Sequence, residues 1–148
     1  MSSAPSGDLT IDGPDPVRTL TARKDSRMSP LELANSYYDA WANRQGDMSG
    51  VPLAEDFIFS GPVASFDSAE GYRAMAAQAG AMVRNFRVRH QFVDGDLVCS
   101  IVDWEMAGLL EGTLTAAEIL EVRNGRLVRG ELIYDAEELR KAMARQGG

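Results

Sequence analysis

The sequence predicts an α+β domain in which helices segregate against an antiparallel sheet. Three observations carry that reading. Leu33, Tyr37 and Trp41 recur at four-residue spacing and mark an amphipathic first helix. Asp94-Gly95 and Asn124-Gly125 each separate two runs of strand-forming residues, the pattern of tight hairpins. The element order is helix, strand, helix, four consecutive strands and a last helix.

Residues 1–27 are rich in Ser, Pro, Gly, Asp and Arg and show no sustained periodicity, so a mobile, disordered N-terminal tail is expected there. The folded domain is expected over 28–148. It opens at Ser29-Pro30-Leu31-Glu32, a capping box with proline at the first helical position. Gly46 is expected to end this helix. Val51 to Ala54 can add one further turn. Phe57-Ile58-Phe59 reads as a short strand stopped by Ser60-Gly61-Pro62. Asp67 and Glu70 cap a small-residue helix over Ser68 to Ala79, closed by Gly80, with Tyr72, Met75 and Ala79 as its buried stripe. Strands follow over Phe86 to Val93 and Asp96 to Met106. The hairpin from Leu114 to Tyr134 comes next, and Asp135 with Glu138 starts a terminal helix through about Ala144.

Composition narrows the functional classes. A formal net charge of −7 argues against nucleic acid as a partner, because phosphate neutralisation needs basic clusters. The local strip Arg84, Arg87, Arg89 reads as a solvated strand face. Cys99 is the only cysteine, so no internal disulfide can form, and with a single histidine an ordinary zinc set is excluded. No apolar run approaches the ~20 residues of a membrane helix, and no signal-peptide pattern opens the chain. A cytoplasmic protein with no membrane partner is expected. No glycine-rich phosphate loop and no Gly-x-Ser-x-Gly elbow occurs.

The Asn124-Gly125 hairpin holds the most pointed candidate. With a three-residue loop Arg123-Asn124-Gly125, Glu118 faces Gly130 and Leu120 faces Val128. One face then carries Leu114, Ala116, Glu118, Leu120, Val122, Val128, Gly130, Leu132 and Tyr134, a dry face with one carboxylate. A two-residue loop would instead set Glu118 against Glu131 and mix charge into both faces. A carboxyl in such a place has a raised pKa and serves either as a working acid or base or as a group satisfied by a buried hydrogen bond.

The Asp94-Gly95 hairpin decides where His90 and Asp103 point. A two-residue loop pairs His90 with Cys99 and Phe86 with Asp103, aiming Asp103 and Glu105 into the cavity beside His90. A three-residue loop pairs His90 with Val98, sends Asp103 outward, and makes Val98, Ser100, Val102, Trp104 and Met106 the inner face. Both faces are apolar enough to be buried; Asp-Gly favours the two-residue turn. The candidate catalytic residues are thus Glu118, Asp103 and His90. Tyr37, Trp41, Phe59 and Tyr134 are the candidate substrate-binding residues, rings able to wall a pocket, two of them with a phenol to offer a ligand. No metal ligands are assigned and no cofactor is required.

Over about Ser29 to Met143 the chain resembles the nuclear transport factor 2-like superfamily, especially its SnoaL-like group. The marks are the aromatic first helix ending near Asn43 to Asp47, Asp56-Phe57 leading to Gly61-Pro62, Val93-Asp94-Gly95-Asp96, Ala117-Glu118 before Val122-Arg123-Asn124-Gly125, and Ile133-Tyr134-Asp135. The resemblance implies a cone-shaped curved sheet wrapped around helices, a small-molecule pocket, and a homodimer built on the outer sheet face. Tyr37 and Glu118 stand where ketosteroid isomerases carry a tyrosine and a carboxylic acid, whereas their aspartate base falls at Ser60-Gly61. Limonene epoxide hydrolases use an Arg-x-Asp pair and a second aspartate; here Ile101-x-Asp103 lacks the arginine and Leu132 takes the second aspartate's place. Aldol-type cyclisation by SnoaL-like enzymes needs little beyond an acid/base residue in an apolar cavity. The reading is a cofactor-independent cyclase, isomerase or epoxide-opening hydrolase on an apolar oxygenated polyketide- or terpenoid-like molecule. The alternative is a non-catalytic ligand-binding or dimeric accessory protein.

Overall fold

A computed structural model describes residues 28–108 and 110–147; the expected tail over 1–27 lies outside the described residues. In chain order the elements are α1 (Pro30–Asn43), β1 (Leu53–Ser60), β2 (Ser65–Phe66), α2 (Ala69–Gly80), β3 (Val83–Asp94), β4 (Leu97–Met106), β5 (Leu114–Arg123), β6 (Arg126–Ile133) and α3 (Glu137–Gly147). The six strands form one curved, unclosed sheet in the order β2-β1-β6-β5-β4-β3. The α+β class and the element order stand as expected, with the two-residue β2 added. The sheet is mixed rather than wholly antiparallel, because β1 runs parallel to β6, with Phe59 opposite Gly130. A parallel pair needs a long crossover, and the whole of α2 to β5 lies between these two strands.

Helix α1 starts as its sequence dictates. Glu32 N–H donates to Ser29 Oγ at 3.1 Å, and Ser29 N–H donates back to Glu32 Oε1 at 2.8 Å. Two of the helix's orphan donors are satisfied by that exchange. Its buried stripe is Leu33, Ala34, Tyr37, Tyr38 and Ala40. The helix crosses the concave side of β3 to β6, while α2 packs on β1 and β2. Helix α2 is capped by Ser68, whose hydroxyl accepts from Gly71 N–H, and not by Asp67. Gly80 belongs to the helix and is buried. Its true task is close approach: a Cβ there would lie 2.0 Å from the Gln45 carbonyl oxygen, and one at Gly46 (φ +81°) 2.0 Å from that of Ala76. The end of α1 and the end of α2 therefore touch backbone to backbone.

Three loop and strand assignments are corrected. Leu53 and Ala54 belong to β1, not to a further helical turn. The β5–β6 loop has two residues, Asn124 (φ +53°) and Gly125 (φ +75°), with Arg123 opposite Arg126. One extra residue at Val128 then shifts the register, so that Leu120 faces Gly130 and Glu118 faces Leu132, not Gly130 or Glu131. The bulge restores the phase that keeps Ala116, Glu118, Leu120 and Val122 on one buried face. Leu127, which the expected register leaves off the dry face, is fully buried, since it precedes the bulge and pairs with Val122.

The β3–β4 hairpin matches neither expected register. Its loop is Gly95-Asp96, with Asp94 opposite Leu97, and the pairing shifts by one residue at Arg89. Beyond that shift Val88 faces Val102, Arg87 faces Asp103 and Phe86 faces Trp104. The buried face of β4 is Val98, Ser100 and Val102, and Asp103 points to the outer face. The bulge also reverses the phase within β3: Phe86 and Val88 face the core, His90 and Phe92 face out, and Gln91 turns in beside Ser100. Local periodicity could not report this change of phase. Each bulge also bends its strand, which curves the sheet around α1.

Candidate active site

The concave face of the sheet, α1, α2 and α3 enclose a cavity of about 650 Å³. Its walls are the rings of Tyr37, Trp41, Phe59, Tyr72, Phe86, Trp104 and Tyr134, with Met75, Met82, Met106, Val102 and Leu132 between them. The Gly61 to Ala64 loop and the α3 residues Leu139, Met143 and Gln146 line it as well. Glu118 is the one charged side chain among the described lining residues. Trp104 and Tyr134 meet edge to face at 5.3 Å, and Phe59 lies 5.0 Å from Tyr72. Such packing fixes the rings and shapes the walls.

Glu118 is only 3 % exposed. Strand alternation points it inward from β5, and the buried face of α1 brings Tyr37 to it: Tyr37 Oη donates to Glu118 Oε2 at 2.8 Å. The Tyr72 hydroxyl in turn bonds that of Tyr37. Since Tyr37 spends its single proton on the carboxylate, Tyr72 must be the donor to Tyr37. The chain runs Tyr72 to Tyr37 to Glu118, joining α2, α1 and β5. Loss of solvent pushes the Glu118 carboxyl up to about 7, partly opposed by the hydroxyls of Tyr37 and Tyr38. Burial, and then the negative charge of Glu118, drives the Tyr37 and Tyr72 phenols well above their usual range, so both stay protonated donors.

The structure brings some of the expected site residues together and separates others. Glu118, Tyr37, Trp41, Phe59 and Tyr134 all line the cavity. Asp103 does not: it lies on the outer face, accepting from Thr115 Oγ1 at 2.6 Å and ion-paired with Arg87 at 3.3 Å and Arg89 at 3.6 Å. The Thr115 hydroxyl, and then the Arg87 guanidinium, hold its carboxyl below the usual range. His90 is exposed on the same outer face, stacked on Phe92 at 6.5 Å. The expected convergence of Glu118, Asp103 and His90 does not occur, for the bulge at Arg89 sets the phase of β3 against β4. Arg87 and Arg89, read as a solvated strip, are anchored by Asp103. Sequence reasoning left out Tyr72, Trp104 and Ser100. Tyr72 was visible as a stripe residue of α2, and Ser100 and Trp104 belonged to the inner face of the three-residue-loop alternative.

One carboxyl that titrates near neutrality in an apolar cavity can give or take a proton, and its tyrosine partners can follow the change in charge. Among the described residues no group of three or more His, Cys, Asp or Glu side chains is arranged to hold a metal ion, and no helix is long and apolar enough to cross a membrane.

The chain belongs to the SnoaL-like domain family, whose model matches residues 34–130. Its fold is that of several solved structures. An NTF2-like protein of unknown function from Cytophaga hutchinsonii is 21% identical, with TM-score 0.67, covering 77% of this chain and 96% of that one. A protein with a ketosteroid isomerase-like fold from Catenulispora acidiphila, in complex with trimethylamine, is 17% identical with TM-score 0.63, covering 76% and 92%. An LEH-like epoxide hydrolase from M. tuberculosis is 15% identical with TM-score 0.62, covering 81% and 92%. At these identities the likeness establishes the fold. No curated protein matches the sequence.

Proposed function

We propose that this protein is a cofactor-independent acid/base enzyme in which Glu118 moves a proton on an apolar, oxygenated small molecule of polyketide or terpenoid type. The observation that carries this is a buried carboxyl in the wall of a cavity whose other lining groups, Gln78 and Gln146 apart, are apolar or aromatic, a burial that pushes its pKa up to about 7. At neutral pH both of its forms are populated, which suits an acid that later serves as base. Cyclisation and isomerisation need such a shuttle. Epoxide opening needs in addition a positioned water, and Leu132 opposite Glu118 supplies no polar group for one. The cyclase or isomerase chemistry is therefore preferred within this class, with Tyr37 as the donor that follows the charge of Glu118 and Trp41, Phe59 and Tyr134 as walls.

The second reading, a ligand-binding or accessory protein, is favoured by one specific observation: Asp103 and His90 stand outside the cavity, so Glu118 has no second acid or base beside it. The outer face offers a homodimer surface in either case, with Ile101, Ala117 and Ile133 in register across three strands. The two readings part on one experiment. Compounds that raise the melting temperature are tested for turnover, and Glu118→Gln, a near-isostere, should abolish turnover while leaving binding in place. Turnover that survives the substitution eliminates Glu118 as the acid or base. Binding without turnover across cyclisable and isomerisable ligands leaves the accessory reading.

A further inference from the structure

Glu118 is approached from a second side by groups that the cavity does not use. Tyr38, the neighbour of Tyr37 on α1, is 3 % exposed, and its hydroxyl is the one buried side-chain polar atom among the described residues without a hydrogen-bond partner. Its ring is fixed, edge-on to Tyr37 at 5.2 Å and stacked on Phe86 at 5.9 Å. Its polar neighbours are Ser100 and Glu118. Those two residues are direct cross-strand partners on β4 and β5, and Ser100 is fully buried.

Counting protons gives this cluster a direction. The bulge at Arg89 turns Gln91 inward, and its amide nitrogen donates to Asn35 Oδ1 at 2.9 Å and to Ser100 Oγ at 3.2 Å. Both amide hydrogens are then spent, and Ser100 is an acceptor whose own hydrogen remains to be given. An ionised carboxylate offers about four acceptor sites, and Tyr37 fills one of them. A phenol left unpaired in the interior is costly, and a carboxylate beside it is the natural acceptor.

We propose that Tyr38, backed by Ser100 and Gln91, is a positioning group that donates to Glu118 when that carboxyl ionises, forming a second donor chain opposite the Tyr72–Tyr37 chain. Ser100 donates to Tyr38, Tyr38 donates to Glu118, and Gln91 holds Ser100 in the orientation that allows both. With the carboxyl protonated, the need for the donor lapses and the Tyr38 hydroxyl can stand unpaired. The other groups facing Glu118 are Tyr37 from α1, Tyr72 from α2 and Leu132 from β6; no Lys, Arg or His faces it among the described residues. The stabilisation of the charge must thus come from hydroxyl donors. This inference rests on Glu118 being the titrating group of the site, but not on the protein being an enzyme.

The test is a carboxyl-carbon NMR titration of Glu118 in the full chain, with Glu118→Gln to assign its signal. Tyr38→Phe should raise the midpoint by about one unit, and Ser100→Ala should raise it by less in the same direction. Denaturation adds a readout that a merely structural ring would not give. Tyr38→Phe should be neutral at pH about 4 and destabilising at pH about 9, because only the ionised acid uses the hydroxyl. An unchanged midpoint in a folded Tyr38→Phe protein, or an equal loss of stability at both pH values, would overturn the proposal. If Tyr38→Phe does not fold, Ser100→Ala decides by the same titration. Neither measurement involves turnover, so failure here and failure of the enzymatic reading are told apart.

Discussion

The Tyr37 hydroxyl donates to Glu118 Oε2 across 2.8 Å, and this bond ties helix α1 to strand β5, 81 residues later in sequence. Neither partner is accessible to bulk solvent, so the bond forms where an unpaired carboxylate would be costly.

Stability should fall as pH rises through the Glu118 transition. The folded-state pKa is raised from 4.5 to about 7, so the native state holds a proton that the unfolded chain has released. The proton-linked stability is complete below the unfolded value and is lost by the time pH passes the folded one. The loss is on the order of 3 kcal/mol between those limits. Denaturant titrations at a series of pH values should show this decline in the native sequence and its absence in Glu118→Gln.

Substitution on the outer sheet face should leave the cavity untouched. Asp103→Asn and His90→Ala alter groups that point away from Tyr37 and Glu118, so neither should change the affinity of an apolar dye for the cavity. Trp41→Ala, which removes a wall, should weaken that affinity about tenfold or more. A large loss of affinity on Asp103→Asn would contradict the register of β3 against β4.

Gly80→Ala should destabilise the fold by about 3 kcal/mol, although alanine is the better helix former by about 1 kcal/mol. The added methyl would stand 2.0 Å from the Gln45 carbonyl oxygen and 2.6 Å from the Gly46 Cα, both backbone atoms that cannot step aside. Gly95→Ala is the contrasting case, since no atom lies within 4 Å of its Cβ position and only the positive φ of +60° opposes it. Its cost should be about 1 kcal/mol. Thermal denaturation of the two variants checks the order.

Arg140→Ala should quicken ligand entry and exit more than it changes affinity. Helix α3 walls the cavity with Leu139 and Met143, and exposed polar bonds tie it down: Arg140 Nη2 to the Pro62 carbonyl at 2.7 Å and Gln146 Nε2 to the Gly108 carbonyl at 3.2 Å. Exposed anchors of this kind give way in local opening before a packed core does. Stopped-flow measurement with a fluorescent apolar dye should show both rate constants rising several-fold; unaltered rates would remove α3 from the entry path.

By itself, the sequence determined the order of the elements, the capping box at Ser29, both hairpin positions and the dry face of β5 that carries Glu118. Each of these is written in contacts a few residues long: a cap's side chain, the left-handed residues of a turn, or strict alternation along one strand. Only the tertiary structure decided that Asp103 and His90 face outward, that β1 lies parallel to β6, and that Tyr72 reaches Tyr37. Both faces of β4 are apolar, so its own pattern did not choose between them. A one-residue bulge at Arg89 settled the choice, favoured by the packing of Phe86, Val88 and Val102 against α1 and by the ion pairs of Asp103 outside. Register in a sheet is the sum of many distant contacts, and no short window of sequence contains that sum.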